Sequence, residues 1–151
     1  MVIIGYQGIG KSTLCKDDYR FVDLESSIFD KSDSGWYKSY ISVAIYLSNC
    51  GYIVFVSSHI SVQEELIKRY ENGEISDLYE IYPSLELRDF WVNKLLKRYE
   101  DERTSKNYRA YINAKNSYND SISVLMKNDI KNKICIDDEN YDLSKILKER
   151  L

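Results

Sequence analysis

The sequence predicts an α/β fold, a three-layer sandwich in which a five-stranded parallel sheet carries helices on both faces. Five short apolar segments of strand length alternate with segments whose apolar residues recur at helical spacing. Residues 53–56 form a continuous apolar run, IVFV, which is typical of a strand covered on both faces. A glycine-rich turn follows the first strand and opens a helix. With 151 residues, of which 44% are hydrophobic, the chain fits one domain spanning 1–151.

The strands are predicted from apolar, β-branched or aromatic segments that are bounded by turn and helix signals. They cover residues 2–5, 21–24, 52–57, 78–82 and 134–137. Because the central strands of a parallel sheet are covered on both faces, we expect the third strand to lie centrally, beside the first.

Two helices are predicted on either side of the third strand. The first covers residues 36–50, where apolar residues recur at helical spacing until Gly51. The second begins with Ser61 and Glu64, which form a capping box, and it ends at Gly73. Both helices would join parallel strands, which need such a crossover connection.

Two further helices are predicted between the fourth and fifth strands. Ser84 is placed to cap the first, whose apolar residues from Leu87 to Tyr99 would face inward. A charged interruption at 100–107 separates it from the second, at about 108–127. A polar segment is therefore expected between two packed helices.

The turn after the first strand matches the phosphate-loop pattern GxxxxGK[ST] at Gly5, Gly10, Lys11 and Ser12. Glycines let backbone amides close around phosphate oxygens, the lysine reaches the β- and γ-phosphates and so acts in catalysis, and the serine hydroxyl ligates Mg²⁺. The pattern predicts a site for ATP and Mg²⁺, because a buried strand precedes it and a helix follows. The expected cofactor-binding residues are Gly8, Ile9, Gly10, Lys11, Ser12 and Thr13.

Gly8 extends the match to GxxGxGK[ST], and the chain resembles the P-loop nucleoside monophosphate kinases, in particular the small phage-type deoxynucleoside monophosphate kinases. The resemblance covers essentially the whole chain in the order of its elements. It implies the strand order 2-3-1-4-5, an acceptor-binding arm at about 26–50 and a short mobile lid at about 99–109. The implied activity is ATP- and Mg²⁺-dependent phosphoryl transfer to a nucleoside or deoxynucleoside monophosphate, which gives the diphosphate.

Two carboxylates, Asp23 and Glu25, follow the second strand. Residues two apart on an extended segment point the same way, and the carboxyl ends of parallel strands face the ligand crevice. The spacing is similar to that of small P-loop kinases such as shikimate kinase. This implies that Asp23 lies near Mg²⁺ with Ser12 and takes part in catalysis, and that Glu25 binds the acceptor. The alternative is that both carboxylates cap the next helix with Ser26 or Ser27.

The third strand ends in Ser57, Ser58 and His59, without the carboxylate that many P-loop enzymes carry at this point. A serine hydroxyl acting through water, or Asp23, would have to complete the surroundings of the metal. His59 is the only histidine and is expected to face the crevice, where it would bind the acceptor phosphate or carry a proton. The alternative is a loop histidine without a chemical role.

Basic residues gather around the charged interruption. Lys94 and Arg98 lie four residues apart and share a helix face. Their spacing matches that of monophosphate kinases, which implies that Lys94 lies near the ATP base and Arg98 at the transferring phosphoryl group. Arg103, as a catalytic residue, Arg109, as a substrate-binding residue, and Lys106 surround the expected lid with Arg98 and would neutralise charge on the γ-phosphoryl oxygens. The alternative is a solvated face whose bases pair with neighbouring acids.

Trp36 and Tyr40 lie in the segment that resembles the acceptor-binding arm, where they are expected to stack on a nucleobase. The alternative is that they belong to the core, as aromatic residues at helical spacing often do. A phosphate acceptor is favoured over a hydroxyl, because a phosphate oxygen is already ionised and the chain offers cations rather than an evident buried base.

Composition narrows the range of partners. The net charge of −3 and the interspersed acids and bases argue against a nucleic acid or an anionic membrane as partner. Met1 stands at the start of the first strand and no apolar run approaches the ~20 residues of a membrane span, so a cytoplasmic location is expected. Cys15, Cys50 and Cys135 lack metal-ligand spacing and are expected to be reduced thiols. The expected partner is a small-molecule nucleotide, with the chain acting as a monomer or homodimer.

Two other functions stay open. The first is a kinase for a small hydroxyl acceptor of the shikimate, gluconate or dephospho-coenzyme A kind, in which Asp23 would take the hydroxyl proton. The second is a non-catalytic nucleotide-binding module that regulates a partner. The missing carboxylate after the third strand favours the second alternative.

Overall fold

The predicted strands form one parallel sheet in the computed structural model of the chain, which describes residues 1–150. The strand order is β2-β3-β1-β4-β5, which confirms the expected topology. The strands are β1 (Val2–Gly5), β2 (Phe21–Asp23), β3 (Ile53–Ser57), β4 (Leu78–Pro83) and β5 (Asn132–Ile136).

The central strand β1 positions the glycine-rich loop. Val2 lies opposite Val54 of β3 and Leu78 of β4, and all three side chains are fully buried. The third strand therefore lies beside the first, as predicted. Because β1 connects to β2 on one side while its neighbour β3 connects to β4 on the other, a crevice opens beyond the carboxyl ends of β1 and β3, where ligands of α/β proteins bind.

Helices flank the sheet. They are α1 (Lys11–Asp17), α2 (Trp36–Asn49), α3 (Ile60–Glu71), α4 (Arg88–Asp101), α5 (Ser105–Lys127) and α6 (Leu143–Arg150), with short 3₁₀ turns at Ser26–Ile28 and Leu85–Leu87. Helix α2 packs against β1, β3 and α3, while α4 packs along α5 and α5 contacts β4.

The helix starts differ from the predicted ones at two places. Helix α3 begins at Ile60 with His59 at the N-cap, so the expected capping box at Ser61 is wrong. The chain turns directly out of β3, and the His59 carbonyl accepts from the amides of Val62 and Gln63 at 2.9 and 3.0 Å. Ser84 precedes a 3₁₀ turn rather than α4, which begins only at Arg88.

The interruption between α4 and α5 is shorter than the expected 100–107. Only residues 102–104 lie outside the two helices, so most of the segment 99–109 that was expected to be a lid is helical. Thr104 starts α5 because its hydroxyl accepts from the amide of Asn107 at 3.2 Å.

Helix α6 was not predicted. The Asp142 carboxylate accepts from the amide of Lys145 at 3.2 Å, and Leu143 and Leu147 are buried against the rest of the fold. The cap residue followed by leucines four apart was the available signal. None of the helices in residues 1–150 has both the length and the apolar character that a bilayer crossing requires.

Candidate functional site

The loop between β1 and α1 has a backbone that only glycine adopts readily. Gly8 and Gly10 have φ of 83° and 99°, in the left-handed region. At Gly8 a side chain would also meet neighbours, since a Cβ there would lie 3.1 Å from both Trp91 Nε1 and Leu95 Cδ2. The shape of the loop therefore requires glycine at positions 8 and 10.

Side chains hold the carbonyl groups of this loop in place. Lys11 Nζ donates to the carbonyls of Gly5 and Tyr6, both at 3.1 Å. Trp91 Nε1 donates to the carbonyl of Gln7 at 2.8 Å, and the Tyr141 hydroxyl donates to that of Gly8 at 3.2 Å. Residues 5–8 thus have every carbonyl bound to a side-chain donor.

The amides of the same loop are left without partners. Within the described part of the chain, the backbone N–H groups of residues 8–12 donate to no protein acceptor. Such a series of unpaired donors at the end of a strand forms a concave site for an anion. The arrangement fits the phosphate groups of a nucleotide, with Lys11 beside them.

Lys11 stands between the loop and two carboxylates. Burial lowers the pKa of Lys11, and the negative charges of Asp23 and Glu25 partly offset this effect. A desolvated ammonium that is held only by carbonyl oxygens gains more from an anionic ligand than a solvated one does.

Ser12 and Asp23 meet as expected. The Ser12 hydroxyl donates to Asp23 Oδ2 at 2.6 Å, because α1 packs against β2. No group of three or more His, Cys, Asp or Glu side chains within residues 1–150 could hold a metal by itself. The pair therefore fits Mg²⁺, which is commonly bound by one or two protein oxygens, phosphate oxygens and water.

A large cleft surrounds the loop. Its volume is about 1260 Å³, and it is bounded by the ends of β2 and β3, one face of α4, the first turns of α5 and the segment before α6. This exceeds the range of about 300–1,000 Å³ that is usual for a single small ligand. The cleft has room for a nucleotide and a second molecule.

Lys94 lies in an aromatic setting at one end of the cleft. Its Nζ donates to the Tyr141 hydroxyl at 2.7 Å and lies 4.6 Å from the ring centres of both Trp91 and Tyr141. Burial lowers the pKa of Lys94 and raises that of Tyr141 to about 12. Tyr141 therefore stays protonated near neutral pH and can donate to Gly8. Its role in the site was not predicted, and an aromatic residue after the last strand was the only signal.

The expected lid bases have different positions. Arg98 and Arg109 line the cleft, whereas Arg103 lies on the exposed turn between α4 and α5, outside the lining residues. Lys106 reaches across the cleft and forms an ion pair with Glu25. Burial by itself would raise the pKa of Glu25, but the hydrogen bond and charge of Lys106 outweigh it, and the pKa is lowered.

The side of the cleft formed by the ends of β2 and β3 is polar, and it is called the acceptor side here after its expected role. The lining residues here are Glu25, Ser26, Ser27, Lys31, Ser57, Ser58 and His59. Lys31, which the sequence analysis did not select, donates from Nζ to Ser26 Oγ at 3.3 Å, and Nζ lies 4.8 Å from the centre of the Trp36 ring. Lys31 is exposed and is the one cation among these lining residues, apart from the single histidine.

Trp36 and Tyr40 are buried and contact residues at the ends of β2 and β3. Tyr40 is 0% exposed, and its hydroxyl donates to the carbonyl of Leu24 and accepts from the amide of Ser57, both at 2.8 Å. Trp36 is 8% exposed and packs against Tyr40 and His59. The expected stacking on a base does not agree with this burial. The helical stripe that contains both aromatic residues packs in the core, which was the alternative interpretation.

The site brings together residues from distant parts of the chain. Those that line one cleft are the loop residues Gly8 to Thr13 with Asp23, Glu25, His59, Lys94, Arg98 and Arg109. No protein-family model matches the chain, and a search of curated proteins found no match. The case for a function therefore depends on the geometry of this chain.

Proposed function

We propose that the protein is an ATP- and Mg²⁺-dependent phosphotransferase whose acceptor is a nucleoside or deoxynucleoside monophosphate. The observation that supports this best is the loop after β1, in which side chains bind the carbonyls of residues 5–8 while the amides of residues 8–12 are left free beside Lys11. Unpaired amides beside a desolvated ammonium are the features that bind the phosphates of a nucleotide.

Each residue in the cleft would have a distinct task. Lys11 exchanges its carbonyl partners for phosphate oxygens, and Ser12 and Asp23 hold Mg²⁺. Bound ATP with its metal supplies the phosphoryl group and part of the charge that stabilises its transfer. Arg98 places further positive charge beside the transferring group, and Lys94 with Tyr141 provides the surface for the nucleotide base.

The cations on the acceptor side support an anionic acceptor. Lys31 and Lys106 both line the cleft near Glu25, and two lysines can offset the repulsion between an acceptor phosphate and the γ-phosphate. Lys106 would have to release Glu25 and pair with the acceptor phosphate instead. Glu25 would then be free to accept hydrogen bonds from the sugar or base of that acceptor.

A hydroxyl acceptor is the second candidate, and the burial of Trp36 and Tyr40 favours it. With these rings in the core, the acceptor side presents mainly serine hydroxyls and charged groups, which suit a small polyhydroxylated acid as well as a nucleotide. In that reaction Asp23 would take the hydroxyl proton.

Acceptor trials separate the two candidates. ADP release is measured with Mg²⁺ and ATP across all ribo- and deoxyribonucleoside monophosphates, and across shikimate, gluconate and dephospho-coenzyme A. We expect turnover with monophosphates. Lys11→Ala should reduce it at least about 100-fold, since it removes a transition-state contact.

Lys16→Ala is the matched control, because Lys16 is an exposed lysine of the same helix outside the cleft. Turnover only with hydroxylated metabolites would contradict the monophosphate proposal. Magnesium-dependent ATP binding without transfer to any acceptor would favour a non-catalytic module. No binding of ATP in calorimetry would exclude the phosphate-loop assignment itself.

We also infer a cytoplasmic location. Cys15, Cys50 and Cys135 are all free thiols in the structure, as suits a reducing compartment. We expect a monomer or homodimer, which sedimentation velocity would test. Fractionation of the native host that placed the protein outside the cytoplasm would contradict the location.

A further inference from the structure

Asn107, in the first turn of α5, is a buried polar residue that the proposed reaction does not yet use. It is 3% exposed. Its Oδ1 accepts from Arg98 Nε at 2.7 Å, its Nδ2 donates to the carbonyl of Glu102 at 2.8 Å, and its amide donates to Thr104 Oγ1 at 3.2 Å. Both ends of the side-chain amide are thus engaged, one by the turn and the other by a base of the cleft.

The contact with Arg98 determines where the rest of the guanidinium points. The group is planar and its N–H donors form a rigid fork, so a bond at Nε fixes the plane and the direction of both terminal nitrogens. Those terminal nitrogens donate to no acceptor among residues 1–150. Arg98 lines the cleft, and its charge contributes to the lowered pKa of Lys11.

We propose that Asn107 is a positioning residue, which orients the Arg98 guanidinium toward the phosphoryl group before any ligand binds. This inference rests on the proposed function. Because a three-residue turn joins α4 to α5, the arginine is already held in the ligand-free protein and need not be delivered by a closing lid. Preorganised charge of this kind lowers the barrier without a reorganisation cost at the moment of reaction.

The competing explanation is that Asn107 only braces the turn through Glu102. A double-mutant cycle separates the two roles. We expect Asn107→Ala to lower kcat about 10- to 100-fold with the KM for ATP within about twofold, as for loss of a transition-state contact. In an Arg98→Ala background the same change should alter kcat less than about twofold, because no guanidinium is left to orient.

Two further variants sharpen the cycle. Asn107→Asp keeps an oxygen for Arg98 but loses the donor to Glu102, so orientation predicts that it retains more kcat than Asn107→Ala. If Asn107 only braces the turn, Asn107→Asp and Asn107→Ala should lose kcat equally. Asn116→Ala, at an exposed asparagine of α5 outside the cleft, is the control and should leave kcat unchanged. Additive losses in the cycle would overturn the proposal.

A second readout does not depend on activity. In ¹⁵N-edited NMR spectra of the full chain, the Nε–H signal of Arg98 should be protected from solvent exchange in the wild type and in Asn116→Ala, and it should lose protection in Asn107→Ala. Unchanged protection in Asn107→Ala would overturn the proposal even in an active enzyme. If the wild type transfers no phosphoryl group, the proposed function fails, whereas this signal still decides whether Asn107 holds Arg98.

Discussion

The two sides of the cleft are built in different ways. On the phosphate side, glycines with positive φ and four side-chain-bound carbonyls fix the loop before a ligand arrives. On the acceptor side, residues 24–35 form a segment whose only regular structure is a 3₁₀ turn and whose lining side chains are half-buried or exposed. Under the proposed function, the rigid part would serve the group common to all triphosphates, while the choice of acceptor would depend on a few side chains of the less regular segment.

The largest effect is expected at Gly8. Gly8→Ala places a Cβ at a strained φ of 83° and 3.1 Å from Trp91 Nε1 and Leu95 Cδ2, so we expect the loop to shift and the bond from Trp91 to Gln7 to weaken. We expect ATP affinity to fall at least about 100-fold, because the amides no longer converge. Calorimetric titration with ATP and Mg²⁺ measures this affinity.

Gly73→Ala is the matched control for this change. Gly73 has a φ of 76°, but no atom lies within 4 Å of the added Cβ. Both variants should lose stability through backbone strain of about 1 kcal/mol, whereas only the change at Gly8 should affect the nucleotide. Equal ATP affinities in the two variants would show that the loop is not preorganised.

The next effect concerns Glu80, which is fully buried in β4. Its Oε1 accepts from Asn128 Nδ2 at 2.6 Å, and Oε2 has no partner among the described residues. The same Asn128 nitrogen donates to Gln63 Oε1, and Gln63 Nε2 donates to the carbonyl of Ser58 at 2.6 Å. Burial raises the pKa of Glu80 from 4.5 to about 7, although the Asn128 bond opposes this.

The raised pKa makes stability depend on pH. Between pH 4.5 and about 7 the carboxyl of Glu80 binds its proton more tightly in the folded state than in the unfolded chain, so its contribution to the free energy of unfolding is largest below this window and is lost as pH rises through it. At 1.36 kcal/mol per pKa unit, the loss reaches about 3 kcal/mol. Glu80→Gln should lack this loss and be more stable than the wild type at pH 8.

Urea unfolding from pH 4.5 to pH 8 checks this difference, with Glu71→Gln as a control at an exposed position of α3. A difference between Glu80→Gln and the wild type that stays constant over this range would contradict a buried, titrating Glu80. If the network also braces Ser58, the acceptor KM of the wild type should change over the same window while that of Glu80→Gln does not.

The smallest effect is expected at Lys31. Lys31→Ala removes an exposed cation from the acceptor side and should raise the KM for the acceptor about tenfold, with the dissociation constant for ATP unchanged. Lys68→Ala, at an exposed lysine of α3 outside the cleft, is the control. Steady-state kinetics with the preferred acceptor measure both. If Lys31→Ala weakened ATP binding and acceptor binding equally, the two sides of the cleft would not bind their ligands independently.

The phosphate side was largely predictable because its signals are local in the chain. The alternation of elements and the buried run 53–56 predicted a parallel sheet with the third strand beside the first, and the resemblance carried by the loop motif implied the full strand order and placed Asp23 near Ser12. Helical spacing could not decide whether Trp36 and Tyr40 face the core or a ligand, since both interpretations have the same period. The structure shows them buried.

Other contacts of the site could not be predicted from the sequence. Tyr141 meets Gly8 across 133 positions, and the Lys106–Glu25 pair spans 81. Such contacts depend on packing between distant elements. Asn107 is closer to Arg98, but its contact needed the α4–α5 turn to be three residues long, whereas charge composition predicted a longer one.

The three-residue turn between α4 and α5 also affects how well the proposed reaction would exclude water. Enzymes with long lids enclose the bound nucleotide and often turn over only as fast as the lid reopens. Here α4 and α5 hold one wall of the cleft, so under the proposed function the acceptor itself would have to fill the cleft and displace solvent. Slow breakdown of ATP by water would then continue when no acceptor is present, and added viscogen would have little influence on the turnover rate.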